Sequence, residues 1–342
     1  MSAARISTDS VGAVGERAAL ARIIPRLPTG VATVLGPGDD AAVLAVADGR
    51  AVLTTDVMVE GPDFRTAWST PEDLGRKAVA TNFSDIAAMG AVPVALMIAL
   101  AVPAPTPVPD LEAFADGVAA ACRDLAPECG VVGGDLTVSP VFTIAVTAVG
   151  SLQGREPIRR DGARAGDVLA YSGRLGLAGA ALHLLFARAV DEDGNPDVAS
   201  AAALRAENPD ALAAQLAPRP PIGDGPRAAL AGATAMLDVS DGLLIDAGRI
   251  ARASGVVLDL DATALSEHAS AVAAALPDLG EEPMRFVLAG GEDHGLLACF
   301  PAEATLPGGF RLLGVVRAGE PEVRIDGVTP PSGRAGWDSF TA

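Results

Sequence analysis

The stretch Pro71-Glu72-Asp73-Leu74-Gly75-Arg76-Lys77-Ala78-Val79-Ala80-Thr81-Asn82-Phe83-Ser84-Asp85-Ile86-Ala87-Ala88-Met89-Gly90, with Ala91 to Val102 behind it, decides the fold class. Thr70 precedes Pro71, and Asp73 follows three residues on. That is a helix start signal, and Pro suits the first helical position. The spacing predicts a helix over Pro71–Met89. The apolar centre behind it, Val94–Val102, is nine residues long, whereas a membrane-spanning helix needs about 20. Pro93, Pro103, Pro105, Pro107 and Pro109 interrupt the uncharged run Ile86–Pro109. A buried strand over Val94–Leu100 is the reading that fits. A helix leading into a buried strand is the unit of an α/β chain.

The same alternation continues in both directions. Further strands are predicted at Ala51–Thr54, Phe142–Val149, Val168–Tyr171, Val256–Leu260 and Leu312–Val316. Further helices are predicted at Val14–Ile24, Asp110–Leu125, Leu175–Val190, Ser240–Ala253 and Ser266–Ala275. Ser151–Gly166 is rich in Arg, Gly and charge and reads as a connector. At ~100–200 residues per domain, 342 residues make two domains, divided as 1–152 and 153–342. Asp191–Pro221, polar and Ala-rich with Pro, Asn and Asp, reads as a surface insertion.

The formal net charge of −18 sets the partners. An excess of carboxylates repels nucleic acid and anionic membranes, so neither is expected. Phosphorylated ligands are repelled too unless a metal stands between. Lys77 is the only lysine; the other 24 of the 25 basic residues are arginines. The cysteines, Cys122, Cys129 and Cys299, are odd in number and form no CxxC pair, which fits a reducing cytoplasm. Met1–Asp9 has no apolar segment of the secretory kind.

Six Gly- or acid-rich segments follow apolar runs or sit in helices: Gly36-Pro37-Gly38-Asp39-Asp40, Thr54-Thr55-Asp56, Asn82-Phe83-Ser84-Asp85, Gly133-Gly134-Asp135, Asp238-Val239-Ser240-Asp241-Gly242 and Gly290-Gly291-Glu292-Asp293. Read as turns after strands, they bring carboxylates to a sheet edge. Mg²⁺ takes hard oxygen ligands, commonly one or two carboxylates plus phosphate oxygens. Glycines beside them let the backbone approach a phosphate. Each Asp taken singly also fits a turn or a helix cap. His294 follows the last segment and is a candidate to line the site; His183, in an Ala/Leu helix, reads as packing. Gly173, Gly176 and Gly179 read as a helix start with close packing. The chain has no GxxxxGK[ST], HRD, DFG, GxGxxG after a strand, HExxH or GxSxG. Those absences exclude P-loop, protein-kinase, zincin and α/β-hydrolase chemistry.

The ordered set resembles the thiamine-monophosphate kinase family. It runs Gly-Asp-Asp-Ala-Ala at 38–42, Thr54-Thr55-Asp56, Asn82 to Gly90, Gly133-Gly134-Asp135, Asp238 to Leu243, Gly290 to Asp293 and Gly336-Trp337-Asp338. That family shares a superfamily with aminoimidazole ribonucleotide synthetase, selenophosphate synthetase and the hydrogenase maturation dehydratase. The resemblance implies a two-domain α/β (α+β) fold of the aminoimidazole ribonucleotide synthetase kind, with mixed sheets covered by helices. It implies a homodimer formed through the N-terminal domain, several Mg²⁺ ions, and ATP as co-substrate. By the same resemblance, metal ligands fall on Asp40, Thr54, Thr55, Asp56, Asp85, Asp135, Asp238 and Asp241. ATP contacts fall on Gly134, Asp135, Arg160 and Ser240. The thiamine phosphate side falls on Asp63, Glu292 and Trp337. The implied reaction is direct in-line transfer without a covalent enzyme nucleophile.

Two positions depart from the family pattern. Asp63 stands where the family commonly has a substrate-contacting His, and His294-Gly295 stand where Tyr-Glu is common. Two rival readings are weaker. Selenophosphate synthetase wants an N-terminal Cys and the hydrogenase maturation enzyme a C-terminal Cys, and the chain has neither. A non-catalytic homologue should have lost metal-site aspartates, and all those matched are present.

Overall fold

The computed structural model describes residues 9–37, 41–330 and 336. Asp40 and Trp337 lie outside the described residues. Among those described, the chain divides into two compact units. The first takes residues up to Phe83 together with Pro93–Ser151. The second takes Ser84–Val92 and the residues from Leu152 onward.

In the first unit, short helices α1 (Val11–Val14) and α2 (Glu16–Ile23) precede a small hairpin, β1 (Thr33–Leu35) and β2 (Val43–Leu44). Strand β3 (Val52–Val59) leads to helix α3 (Pro71–Ala88), strand β4 (Val92–Val102), helix α4 (Val108–Leu125), and strands β5 (Gly130–Val138) and β6 (Thr143–Ser151). Four strands form a mixed sheet in the order β3-β6-β4-β5, with β3–β6 antiparallel and β4–β5 parallel. The capping signal at Thr70 is realised, since Thr70 donates to the Asp73 carboxylate and accepts from the Asp73 N–H.

One face of the sheet is the core face. Met58, Ile144, Val146, Ala148, Leu96, Ile98, Leu100 and Leu136 are buried there. The opposite face carries Leu53, Thr55, Val57, Ala145, Thr147, Met97, Ala99 and Asp135. At one end of that face Ala95 and Val149 are covered by Ala42 and Leu44. The rest is open, with Leu53 66% and Val57 55% exposed.

Helices α3 and α4 touch backbone to backbone. A Cβ at Gly75 would stand 2.1 Å from the Phe114 carbonyl oxygen, and one at Gly117 would stand 2.1 Å from that of Glu72. Gly117→Ala gains ~1 kcal/mol in helix propensity and forces a backbone separation that costs more. We expect a net loss of about 2 kcal/mol, read as a lower urea midpoint; an unchanged midpoint would show that the helices separate freely. Lys77, on α3, is buried, with 4% of its surface exposed.

The second unit holds β7 (Val168–Ser172), α5 (Leu177–Arg188), α6 (Val198–Glu207), α7 (Pro209–Leu216), α8 (Asp224–Leu230), β8 (Ala235–Val239), α9 (Leu243–Ser254), β9 (Val257–Leu260), α10 (Ala262–Ala275), α11 (Pro283–Ala289), β10 (Gly295–Phe300), β11 (Arg311–Arg317) and β12 (Glu322–Ile325). Its six-stranded sheet runs β12-β9-β11-β7-β10-β8 and is antiparallel except for the β12–β9 pair. The close packing expected of Gly176 and Gly179 is found. A Cβ there would lie 2.7 Å from the Val287 nitrogen and from Gly290 Cα respectively.

Three expectations need correction. Thr54-Thr55-Asp56 does not end a strand, because β3 runs on to Val59. Gly133-Gly134-Asp135 is not a turn but the middle of β5, a strand hidden by its glycines. Asp191–Pro221, read as a surface insertion, is in part packed rather than superficial. It contains α6 and α7, with Leu204, Ala211 and Leu212 buried, so its Ala/Leu content serves packing.

Candidate functional site

In the second unit the candidate residues gather where two neighbouring strands meet loops. Strand β8 ends at Val239 and β10 begins at Gly295, and these two residues face each other in the antiparallel ladder. The loops Asp238–Gly242 and Gly290–His294 therefore emerge side by side. Two backbone bonds join them: Glu292 N–H to Ser240 O at 2.7 Å, and His294 N–H to Val239 O at 2.8 Å. Glu292 and His294 both hold positive φ, +71° and +52°. Such a conformation costs a non-glycine residue about 1–3 kcal/mol and persists only where surroundings enforce it. Between them, Asp293 turns the other way and accepts from the Gly176 and Ala178 N–H groups at the start of α5. Burial raises its carboxyl to about 7 against those two donors.

Asp238 sits under this pair of loops. Ser84 Oγ donates to its Oδ2 at 3.0 Å. His294 Nδ1 lies 3.4 Å from the same oxygen and 3.5 Å from Ser84 Oγ. Asp85 follows Ser84 in the last turn of α3 and is half-buried. Asp238, Ser84, Asp85 and His294 thus belong to one unit, and the first, second and fourth are in contact.

Asp241 is engaged differently. Its Oδ2 meets Arg249 Nη2 at 2.5 Å, and the same guanidinium meets Asp246 Oδ1 at 2.5 Å. Asp246 is fully buried and accepts from the Ser240 and Asp241 N–H groups at 3.1 and 2.9 Å. Burial pushes its carboxyl up to about 6, while the Asp241 N–H and Arg249 pull the other way. The sequence motifs passed over Asp246 and Arg249. The signal was available as an Asp one turn into a helix that follows an Asp-rich loop, with Arg three residues further on.

Arg160 is exposed in the Ser151–Gly166 connector, and its carbonyl accepts from Ser254 Oγ. Its neighbour Arg159 is the one engaged, with Asp161.

In the first unit, side chains alternate across the strand. Thr54 and Asp56 therefore share the core face, and Thr55 lies on the open one. Thr55 Oγ1 donates to Val146 O at 3.0 Å and accepts from Thr147 Oγ1 at 3.1 Å. Asp135 is also on the open face, aligned with Ala99. Gly134 is required by the sheet itself, since a Cβ there would stand 1.9 Å from the Ile98 carbonyl oxygen. Asp63 closes a turn: its Oδ2 accepts from the Val59 N–H at 2.7 Å.

Against known proteins, the profile of the AIR synthase related protein N-terminal domain matches residues 38–152, and that of the C-terminal domain matches 164–313. The thiamine-monophosphate kinase of Mycobacterium tuberculosis is 43% identical over 96% of this chain and 92% of its own length. The chain belongs to the thiamine-monophosphate kinase family. That of Corynebacterium glutamicum is 41% identical over 89% of this chain and 88% of its own. A solved structure described as AaThiL complexed with AMPPCP and TMP superposes with a TM-score of 0.71. It is 32% identical and covers 88% of this chain and 91% of its own. The two-domain fold and the family expected from the ordered motifs are both borne out.

Proposed function

We propose that this chain catalyses ATP-dependent phosphorylation of thiamine monophosphate to thiamine diphosphate. The similarity to the Mycobacterium tuberculosis enzyme over nearly the whole of both chains carries the reading. A phosphate oxygen of thiamine monophosphate attacks the γ-phosphorus of ATP. One P–O bond forms, the bond from the γ-phosphorus to the β,γ-bridging oxygen breaks, and ADP leaves. The acceptor is already an anion, so no side chain need become a nucleophile.

Mg²⁺ is the metal this donor chemistry suits. The candidate ligands are all hard oxygens: Asp40, Thr54, Thr55, Asp56, Asp85, Asp135, Asp238 and Asp241. Among the described residues, no three His, Cys, Asp or Glu side chains gather closely enough to cage an ion. That suits a cation held by one or two carboxylates and completed by phosphate oxygens. When bound, Mg²⁺ neutralises charge on the phosphates that must approach each other. Ser240, Gly134, Asp135 and Arg160 are assigned to ATP, and Glu292, Asp63 and Trp337 to thiamine monophosphate. Asp63 Oδ2 already holds the Val59 N–H, so the assignment to thiamine monophosphate falls on its other oxygen.

The working form is a homodimer. Thr55 and Asp135 share the open sheet face, three strand spacings apart in the order β3-β6-β4-β5. At ~4.8 Å per strand, that is ~14 Å, too far for one ion with bonds of ~2.1 Å. A second copy packed on that face joins the two sets. Exposed Leu53, Val57 and Met97 supply the apolar contact, which monomers rarely leave open. Val57→Asp should halve the mass seen by light scattering; an unchanged mass would place the interface elsewhere. The setting is the cytoplasm, in keeping with three buried free thiols, and neither nucleic acid nor membrane is a partner at a net charge of −18.

Turnover decides the function. Purified protein with ATP, Mg²⁺ and thiamine monophosphate should yield thiamine diphosphate and ADP in equal amounts. ATP binding without product would sink the reading.

A further inference from the structure

We propose that Ser84 and His294 are positioning residues that hold Asp238 by one carboxylate oxygen, so that the other is presented to the metal–nucleotide complex. The proposal rests on Asp238 being a ligand in the reading above. Ser84 is wholly buried and lies just before the last turn of α3. It donates to Asp238 Oδ2 at 3.0 Å, and His294 Nδ1 stands 3.4 Å from that oxygen. Among the described residues no hydrogen bond is made to Asp238 Oδ1. Both donors therefore converge on one oxygen.

A carboxylate only accepts, so Nδ1 serves Asp238 Oδ2 as a donor in the tautomer that carries its proton there. The imidazole is itself held in place by its backbone. His294 sits at φ +52°, and its N–H is tied to Val239 O, the carbonyl next to Asp238. Backbone strain at this point aims the ring at the carboxylate. Groups that orient a metal ligand commonly change metal affinity by about 10–100-fold when removed. A serine that merely satisfied a buried carboxylate would alter stability and leave no coupling to metal binding.

A thermodynamic cycle separates the two. The probe is Mn²⁺ with AMPPCP, titrated into the full-length protein and followed by electron paramagnetic resonance. Ser84→Ala should weaken Mn²⁺ binding by about 10-fold or more, and Ser84→Thr should restore it. His294→Asn, whose amide nitrogen takes the place of Nδ1, should bind Mn²⁺ better than His294→Gln. In an Asp238→Asn background, Ser84→Ala should have no further effect, because Ser84 acts through Asp238. Thermal unfolding of each variant identifies any that fail to fold; if Ser84→Ala is one of them, the comparison of His294→Asn with His294→Gln decides, and equal Mn²⁺ affinities in that pair would overturn the proposal. Mn²⁺ affinity within twofold of wild type in Ser84→Ala, or full additivity of the two changes, would overturn the proposal. If the cycle couples and thiamine monophosphate is still not phosphorylated, the clamp stands and the substrate reading is what fails.

Discussion

Asp238→Asn should lower kcat for thiamine diphosphate formation by ~10³-fold and leave the melting temperature within a few degrees. Asn matches Asp in volume and can still accept from Ser84 Oγ, so packing around β8 has no cause to change. What disappears is a full negative charge at the edge of a sheet where, on the proposed reading, a cation and phosphates meet. Preorganised charge of this kind does most of the work at a phosphoryl-transfer site, since little covalent chemistry falls to the protein. Steady-state kinetics with saturating ATP measures it. A loss under tenfold would remove Asp238 from the metal set and leave Asp85 and Asp56 to carry it.

Asp246→Ala should destabilise the second unit by about 3 kcal/mol and abolish ATP binding as well. Three partners lose their acceptor at once: the Ser240 N–H, the Asp241 N–H and the Arg249 guanidinium. Each buried donor left unmade costs about 1–3 kcal/mol. Arg249 then leans on Asp241 alone, and the loop that carries Ser240 loses its anchor. Asp246→Asn should recover most of the stability, because its amide oxygen can still accept, and less of the ATP affinity, because the Arg249 charge is left under-compensated. Urea unfolding and calorimetric titration of AMPPCP report the two effects separately. Equal loss of both in the Ala and Asn variants would mean that the carboxylate charge, not the hydrogen bonds, shapes the loop.

Periodicity made the long elements legible. α3 was plain because capping at Thr70 and an apolar pattern agree over 18 residues, and β4 because its apolar run has nowhere else to go. Strand β5 was missed because Gly133 and Gly134 look like a turn; only the Ile98 carbonyl, a long-range neighbour, explains why glycine is needed in that strand. Strands β8 and β10 are short, buried on both sides, and flanked by the loops that drew attention to chemistry. The ordered motifs named most of the candidate residues, but they could not tell faces apart. Thr54 and Thr55 are adjacent in sequence and point to opposite sides of a sheet. Nor could they find Asp246 and Arg249, whose role is to hold a loop and which reach it through bonds that no motif encodes.

The burial of Lys77 gives this protein a built-in clock. A chain with one lysine offers amine-reactive reagents one side-chain target, and here that target is buried on α3, two turns before Ser84 and Asp85. Acylation at Lys77 must wait for α3 to come away from its surroundings. Its rate under native conditions would time the opening of that helix, and a bound nucleotide that steadies the helix end would slow the mark by the same factor as it stabilises the closed form. Most proteins need an engineered label to be watched in this way; this composition, in which arginine has taken nearly every other basic position, leaves the natural chain ready for it.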